Sequence, residues 1–336
     1  MKHIVPIFSI CCIGLIAGVG QAVEPSGAPL APASWELKSK DNPLTASTAQ
    51  NLVRNAIAEL ESHRSVSAKL RHHVDLFDRR MTGSGAYLQG DWPSGLLRLE
   101  LMTPTAGKST GVRQICDGKY HWSYRASLED RTLKRIDLRR LKSAVPALPA
   151  SATPAPMAGA IGLGGLPKLL RNLEASFQFD AMYDTAIGQT RILAARGDWK
   201  PEMLAKIKAE QSKGKKKRHA VASNELPAHV PDHVLLLLGA DDLFPYRIEY
   251  RRTLPTEDGA ASAPPKSKSL VTLELYEVSI DMPIDAAQFQ FDPGTQHVTD
   301  VTSETIKALG LREPGPAKRS DPADLTLGSS PDGVRR

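Results

Sequence analysis

Cys116 stands in the stretch ICDGKYHWSYR, residues 115–125, with Asp117 beside it and His121 five positions on. A thiol and an imidazole at such spacing raise the question of a nucleophilic centre in which the histidine draws the proton from sulfur. The surrounding residues answer differently. Asp117 and Gly118 separate two strand-like runs, Val112 to Cys116 and Tyr120 to Tyr124, and Asp-Gly is a hairpin signal because both central positions of a type I′ turn need positive φ. Cys116 then sits at a strand end with His121 on the partner strand. No oxyanion-type glycine loop or family signature accompanies the pair. The expectation is a small half-buried residue in a hairpin and no enzyme, with a secreted hydrolase using Cys116 or a histidine as the competing reading.

Other motifs fare no better as chemistry. TAGKSTG, Thr105 to Gly111, resembles the end of a phosphate-binding loop, but Met102 occupies the place of its first glycine and the flanks read as strand. GLGG at 162–165 lacks the preceding strand and acidic partner of a dinucleotide fingerprint and reads as a flexible joint. His72 and His73 are adjacent, so on a strand they face opposite sides and cannot chelate together. With no HExxH, paired CxxC or carboxylate-rich calcium loop, neither a metal nor a cofactor is expected.

The elements that must position these residues follow from composition and period. The chain has 336 residues, 41% of them hydrophobic, enough for a substantial core, and a net charge of +6. The run KGKKKR supplies five positive charges through Lys213, Lys215, Lys216, Lys217 and Arg218, so the balance needs no basic face elsewhere. That run is a possible contact for a membrane surface. Without interleaved aromatics, nucleic-acid binding is not expected.

At the N-terminus a positive start at Lys2 precedes an apolar run from Ile4 to about Gly20 and small residues suited to cleavage after Ala22. Residues 1–22 read as a secretory signal, with a retained anchor as the alternative. After cleavage Cys116 is the one cysteine left, so the exported protein forms no internal disulfide. Residues 23–46 read as a flexible tether, 47–312 as the folded domain, and 313–336 as a disordered tail.

Within the domain, Ser47 and Gln50 fit a capping box, and Leu52, Val53, Ala56, Ile57 and Leu60 recur at helical spacing to Ser62. From Val66 the period becomes two: Val66, Ala68, Leu70, Val74 and Leu76 share one face, Lys69, Arg71, His73 and Asp75 the other. Strands follow at 85–90, from Leu97, at 112–116, 120–124 and 131–138, then after a helix at 166–176 at 177–183 and 189–195. After Pro201 comes a short helix to about Glu210, then strands at 233–238, 245–253 and 270–280, and a last strand around Phe289 to Phe291 before a small helix near Thr302. Long loops are expected at 141–165, 211–232 and 255–269. Short turns between strands argue for antiparallel hairpins and a meander. The fold class is α+β: one large antiparallel sheet with few helices to cover it, which must curl around something.

DGKYHWSY, Asp117 to Tyr124, resembles the hairpin of LolA-like periplasmic lipoprotein carriers. So, in the same order, do an N-terminal helix before a long first strand, GAYLQG, LLRLELMTP, LFPYRIEYR and FQFDPGTQHVTDVT, together spanning about residues 47 to 310. The resemblance implies an incomplete antiparallel β-barrel wrapped over a few short helices, with an apolar cavity for acyl chains. The three long loops exceed what a compact carrier needs.

The function implied is that of an exported, periplasmic or secreted, non-enzymatic carrier that holds a lipid or a lipoprotein acyl chain, with lipoprotein sorting as one role open to it. An envelope sensor or scaffold using the same fold for protein contacts is the alternative. The candidate cavity positions are the apolar faces of two strands: Leu97, Leu99 and Leu101, and Val271, Leu273 and Leu275. Strand period marks a buried face without saying whether ligand or protein covers it.

Overall fold

A computed structural model describes residues 46–77, 79–91, 94–105, 108–144, 164–214, 226–254 and 267–312. The expected signal, nearly all of the tether, the tail, and the centres of the three long loops lie outside the described residues. Helix α1 (Ala46–Ser62) leads into β1 (Val66–Leu76), β2 (Arg79–Gln89), β3 (Leu97–Thr105), β4 (Lys108–Cys116), β5 (Tyr120–Ala126) and β6 (Arg131–Asp137). Then come α2 (Leu138–Ala144), α3 (Gly165–Ser176), β7 (Phe177–Ile187), β8 (Thr190–Trp199) and α4 (Pro201–Gly214). The chain continues through β9 (His233–Gly239), β10 (Pro245–Thr253), β11 (Ser267–Ile280), a 3-10 turn (Ala286–Phe289), β12 (Val298–Asp300) and α5 (Thr302–Ala308). Among the described residues no helix is long and apolar enough to cross a membrane.

All the strands join one open 12-stranded sheet in the order β12-β6-β5-β4-β3-β2-β1-β11-β10-β9-β8-β7. It is two meanders, β1 to β6 and β7 to β11, joined where β1 pairs antiparallel with β11; β12 adds in parallel on β6. The expected large antiparallel sheet over a few helices is therefore present. Alternation in β1 makes the two faces plain: Val66, Ala68, Leu70, His72, Val74 and Leu76 are buried, while their odd-numbered neighbours are half-buried or exposed. The buried face meets α1 and α3, whose Val53, Ile57, Leu60, Leu169, Leu170 and Leu173 form one apolar cluster with Leu70, Leu99, Phe177, Phe179 and Leu236. Burying side chains of this size gives on the order of 1.5–3 kcal/mol each, and here it draws both meanders onto the same helices.

Glycines permit the bend. A Cβ on Gly85 would lie 1.8 Å from the Glu100 carbonyl oxygen, and one on Gly111 2.2 Å from that of Leu101. Where neighbouring backbone occupies the place of a side chain, the strands can turn a corner only with glycine.

Several expectations need correction. Helix α1 starts at Ala46, which places Ser47 inside it, and the Gln50 side chain donates to Glu174 Oε1 at 3.0 Å instead of closing a capping box. No strand forms at 289–291: the 3-10 turn capped by Asp285 ends at Phe289, Gln290 and Phe291 follow without strand pairing, and pairing resumes at β12. Leu138 to Ala144, expected as strand end and loop, is helical because Leu141 and Ala144 pack against Ile306 and Leu311 beyond α5's start. The turn after Cys116 is centred one residue later than Asp-Gly alone suggests. Asp117 N–H bonds the Tyr120 carbonyl, leaving Gly118, at φ 83°, and Lys119 as the loop. The Asp117 carboxylate accepts from the Lys119 and Tyr120 amides and from Trp122 Nε1, which locks that register.

Candidate functional site

The inward face of the sheet is arranged in tiers set by the ladder. One tier runs Leu275, Leu70, Gly85, Leu101, Val112 and the next Leu273, His72, Gly83, Thr103, Thr110. Leu97, Leu99, Leu273 and Leu275 all enter the large cluster beneath the helices, and Leu101 packs on it half-buried. Val271 does not join them. It is buried with Val74, Leu76 and Leu270 in a separate cluster flanked by Met81 and Tyr250, further along the same face.

The divider is the His72 tier. A Cβ on Gly83 would lie 2.1 Å from His72 Cε1 and 2.6 Å from Thr103 Oγ1, so the imidazole folds across the glycine toward the threonine. His72 is 1% exposed and Thr103 3%, yet among the described residues neither ring nitrogen nor the hydroxyl has a hydrogen-bond partner of good geometry. Burial pushes the His72 pKa down to about 4, against a weak opposing pull from the Gly83 backbone, and the ring is neutral at neutral pH. His73, on the other face, meets Thr82 Oγ1 at 3.0 Å. The two histidines thus diverge as strand geometry requires.

A second polar group lies nearer the helices. The Tyr87 hydroxyl donates to Gln89 Oε1 and accepts from the Leu166 N–H at 2.8 Å, tying β2 to the first turn of α3. A Cβ on Gly165, which has φ 58°, would lie 2.3 Å from that hydroxyl oxygen. The GLGG segment ends in a tight junction, and the reading of a flexible joint fails at Gly165.

Cys116 and His121 are direct cross-strand partners, as expected, and both are buried. Their electrostatics oppose nucleophilic use. Burial raises the Cys116 thiol pKa, with a smaller push from Asp117, and lowers the His121 imidazole to about 4. A reactive pair needs a thiolate beside a competent base, and here the thiol holds its proton while the base refuses one. Thr105 to Gly111 spans a β3–β4 hairpin, with no following helix. Of the basic run, Lys213 falls in the last turn of α4, and Lys215, Lys216, Lys217 and Arg218 lie outside the described residues. Among the described residues no three metal-ligating side chains cluster.

Around β1, β10 and β11 the outward face carries a charge network. Arg247 reaches Glu274 at 2.9 Å and Glu249 at 3.4 Å, Arg251 also holds Glu249, and Arg71 lies 3.5 Å from Glu274 while its guanidinium covers Tyr276. Chain order hides such partners. The inward tier of His72 was equally hard to find, although Gly83 and Gly85, two apart on one face of a strand, were the available signal.

No family model and no curated protein matches the chain. Solved structures do, in fold. It is similar to a putative outer membrane lipoprotein-sorting protein domain from Vibrio parahaemolyticus, the class its sequence motifs resemble, at 9% identity over 73% of this chain and 97% of that one, TM-score 0.28. It is similar to the Mycobacterium tuberculosis lipoprotein LppX at 9% identity, 71% and 98% coverage, TM-score 0.32. A third likeness is to the Pseudomonas aeruginosa MucA/MucB complex structure, 9% identity, 73% and 61% coverage, TM-score 0.35. At such identity the likeness is one of fold alone.

Proposed function

We propose that this is an exported, non-enzymatic carrier that holds a lipid, or the acyl chain of a lipoprotein, against the inward face of its open sheet. The observation that supports this reading is the length of the apolar face, a single cluster with α1 and α3 that runs from β7 across to β3. Helix α1 lies against β7 and β8 and α3 against β7, and the cluster they share takes in Leu273 and Leu275 on β11 and Leu97 and Leu99 on β3, three to six strands from β8, with Leu101 half-buried at its margin. Binding there is a hydrophobic transfer of about 0.8 kcal/mol per buried methylene, so affinity grows with chain length and rests on no single residue. The Cys116–His121 pair, pushed away from reactivity, agrees with a binding role.

Native mass spectrometry of the mature protein purified from its own envelope, followed by solvent extraction, tests this. A stoichiometric lipid or acylated protein is expected. An empty protein that also refuses a fluorescent fatty acid would end the carrier reading, and a stable protein partner in its place would support a sensor or scaffold.

A further inference from the structure

The tip of the β1–β2 hairpin is built against the usual rules. Leu76 and Arg79 pair directly across the hairpin, and at so tight a tip Asn, Asp or Gly normally supply positive φ. Here Phe77 takes φ 54° with 58% of its surface exposed, a conformation that an aromatic L-residue adopts against steric cost. Among the described residues its ring neighbour is His229, at 5.6 Å between centroids. An unfavourable backbone kept at an exposed aromatic points to a use for the side chain in solution.

The surroundings say which use. Arg79 and Arg80 open β2 after Asp78 in the sequence and are exposed, Arg80 with 87% of its side chain in solvent. Asp75 is shared between Arg80 at 3.2 Å and Lys268 at 2.8 Å, one carboxylate for two cations. Arg252, at the same end of the sheet, spends its guanidinium on the carbonyls of Leu226 and Val230, and Asp232 accepts the Thr253 amide. Among the charges named at this end, Arg79, Arg80, Arg252 and Lys268 outnumber Asp75, Asp78 and Asp232 by one. Leu254, 41% exposed, closes the rim at the end of β10. The cluster of Val74, Leu76, Leu270 and Val271 lies on the Phe77 side of the His72 tier, outward from Leu273.

We propose that this hairpin end docks on an anionic lipid bilayer, with Phe77 inserted at the headgroup level and Arg79, Arg80 and Lys268 as its cationic collar. The apolar cluster behind Phe77 meets the main cluster across the His72 tier, so the inference rests on the carrier reading and assigns the end at which cargo is exchanged. Aromatic rings with basic neighbours suit that interface, since the ring enters the acyl boundary while each cation stays among phosphates.

The test uses the full mature chain in flotation with vesicles of phosphatidylcholine alone and of phosphatidylcholine with phosphatidylglycerol. Binding to the anionic vesicles, weakened by salt, is expected. Phe77→Gly removes the ring and suits the backbone better, so it keeps or raises thermal stability while partitioning falls about tenfold. The double change Arg79→Gln/Arg80→Gln flattens the salt dependence, and Phe77→Trp shows a blue-shifted emission on the anionic vesicles. Wild-type binding by the Gly and Gln variants, equal binding to neutral vesicles, or no binding while the chain captures a protein would each overturn the docking. Uptake of a fluorescent fatty acid without vesicles is measured beside it. Uptake without vesicle binding sinks the docking alone; vesicle binding without uptake sinks the carrier reading alone.

Discussion

Acid should unfold this protein through two neutral histidines. His72 and His121 are both buried on the inward face, and burial lowers each pKa from the ordinary 6.5 to about 4. The folded chain therefore refuses protons that the unfolded chain takes up below pH 6.5. The stability tied to each neutral ring is complete above pH 6.5 and is lost as the pH falls from there toward 4. The full gap is worth roughly 3 kcal/mol per histidine, and at pH 5 about 2 kcal/mol of it has gone, so the two together cost about 4 kcal/mol. Set against a typical net stability of 5–15 kcal/mol, that decides whether the fold survives. Carboxylates do not confuse the window: Asp232 and Asp300 are lowered to about 2, so their contribution is lost only as pH falls below 3.8. His73 and His229 are also lowered by burial and add in the same direction. Urea unfolding at pH 7.5 and pH 5.0 reads the difference directly. His72→Leu and His121→Leu should each remove about half of the wild-type loss and the double variant nearly all of it. A double variant that still loses as much stability as the wild type, or a wild type equally stable at both pH values, would refute the reasoning.

Further changes read other parts of the design. Gly85→Ala, whose Cβ would meet the Glu100 carbonyl oxygen at 1.8 Å, should cost about 3 kcal/mol or more in urea unfolding. Gly188→Ala, with φ 59° and open space around it, should cost only about 1–2 kcal/mol. Tyr87→Phe strips the acceptor from the Leu166 N–H, with an expected loss of about 1–3 kcal/mol and faster amide exchange at Leu166. On the carrier reading, Leu101→Trp should obstruct uptake of a fluorescent fatty acid, whereas Thr82→Trp, exposed on the opposite face, should leave it unchanged.

Where local pattern and tertiary burial agree, the sequence is a sound guide. The two-residue period from Val66 to Leu76 matches the buried and open faces of β1 residue for residue, with His72 on the buried side by parity alone. The unbroken run Val234 to Leu238 is buried on both faces, Val234 and Leu236 toward the helices and Leu235 and Leu237 in a cluster flanked by Tyr183, Ile187 and Tyr246. Elements that owe their state to distant contacts were not legible. Helix α2 is seven residues long and is held from α5, while β12 is three mostly exposed residues fixed by a parallel partner more than a hundred positions earlier. The candidate positions divide likewise: Leu97, Leu99 and Leu101 follow from alternation, but the separation of Val271 depends on a ring lying across Gly83.

The join between β1 and β11 sets the order of assembly. β1 starts at residue 66 and its register runs to Ile280, so that seam cannot form until almost all of the described domain has been made. Until then the first meander has an unpaired edge along β1, a template for wrong pairing and aggregation. The high separation in sequence also slows the search for the native partner. A chain crossing a membrane from its N-terminus would meet this problem at its worst, with five hairpin-linked neighbours ready and the closing strand still to come. A holding chaperone on the far side is the natural remedy, and refolding from urea should show a slow phase that lengthens when Leu275, at the centre of the seam, is truncated to alanine.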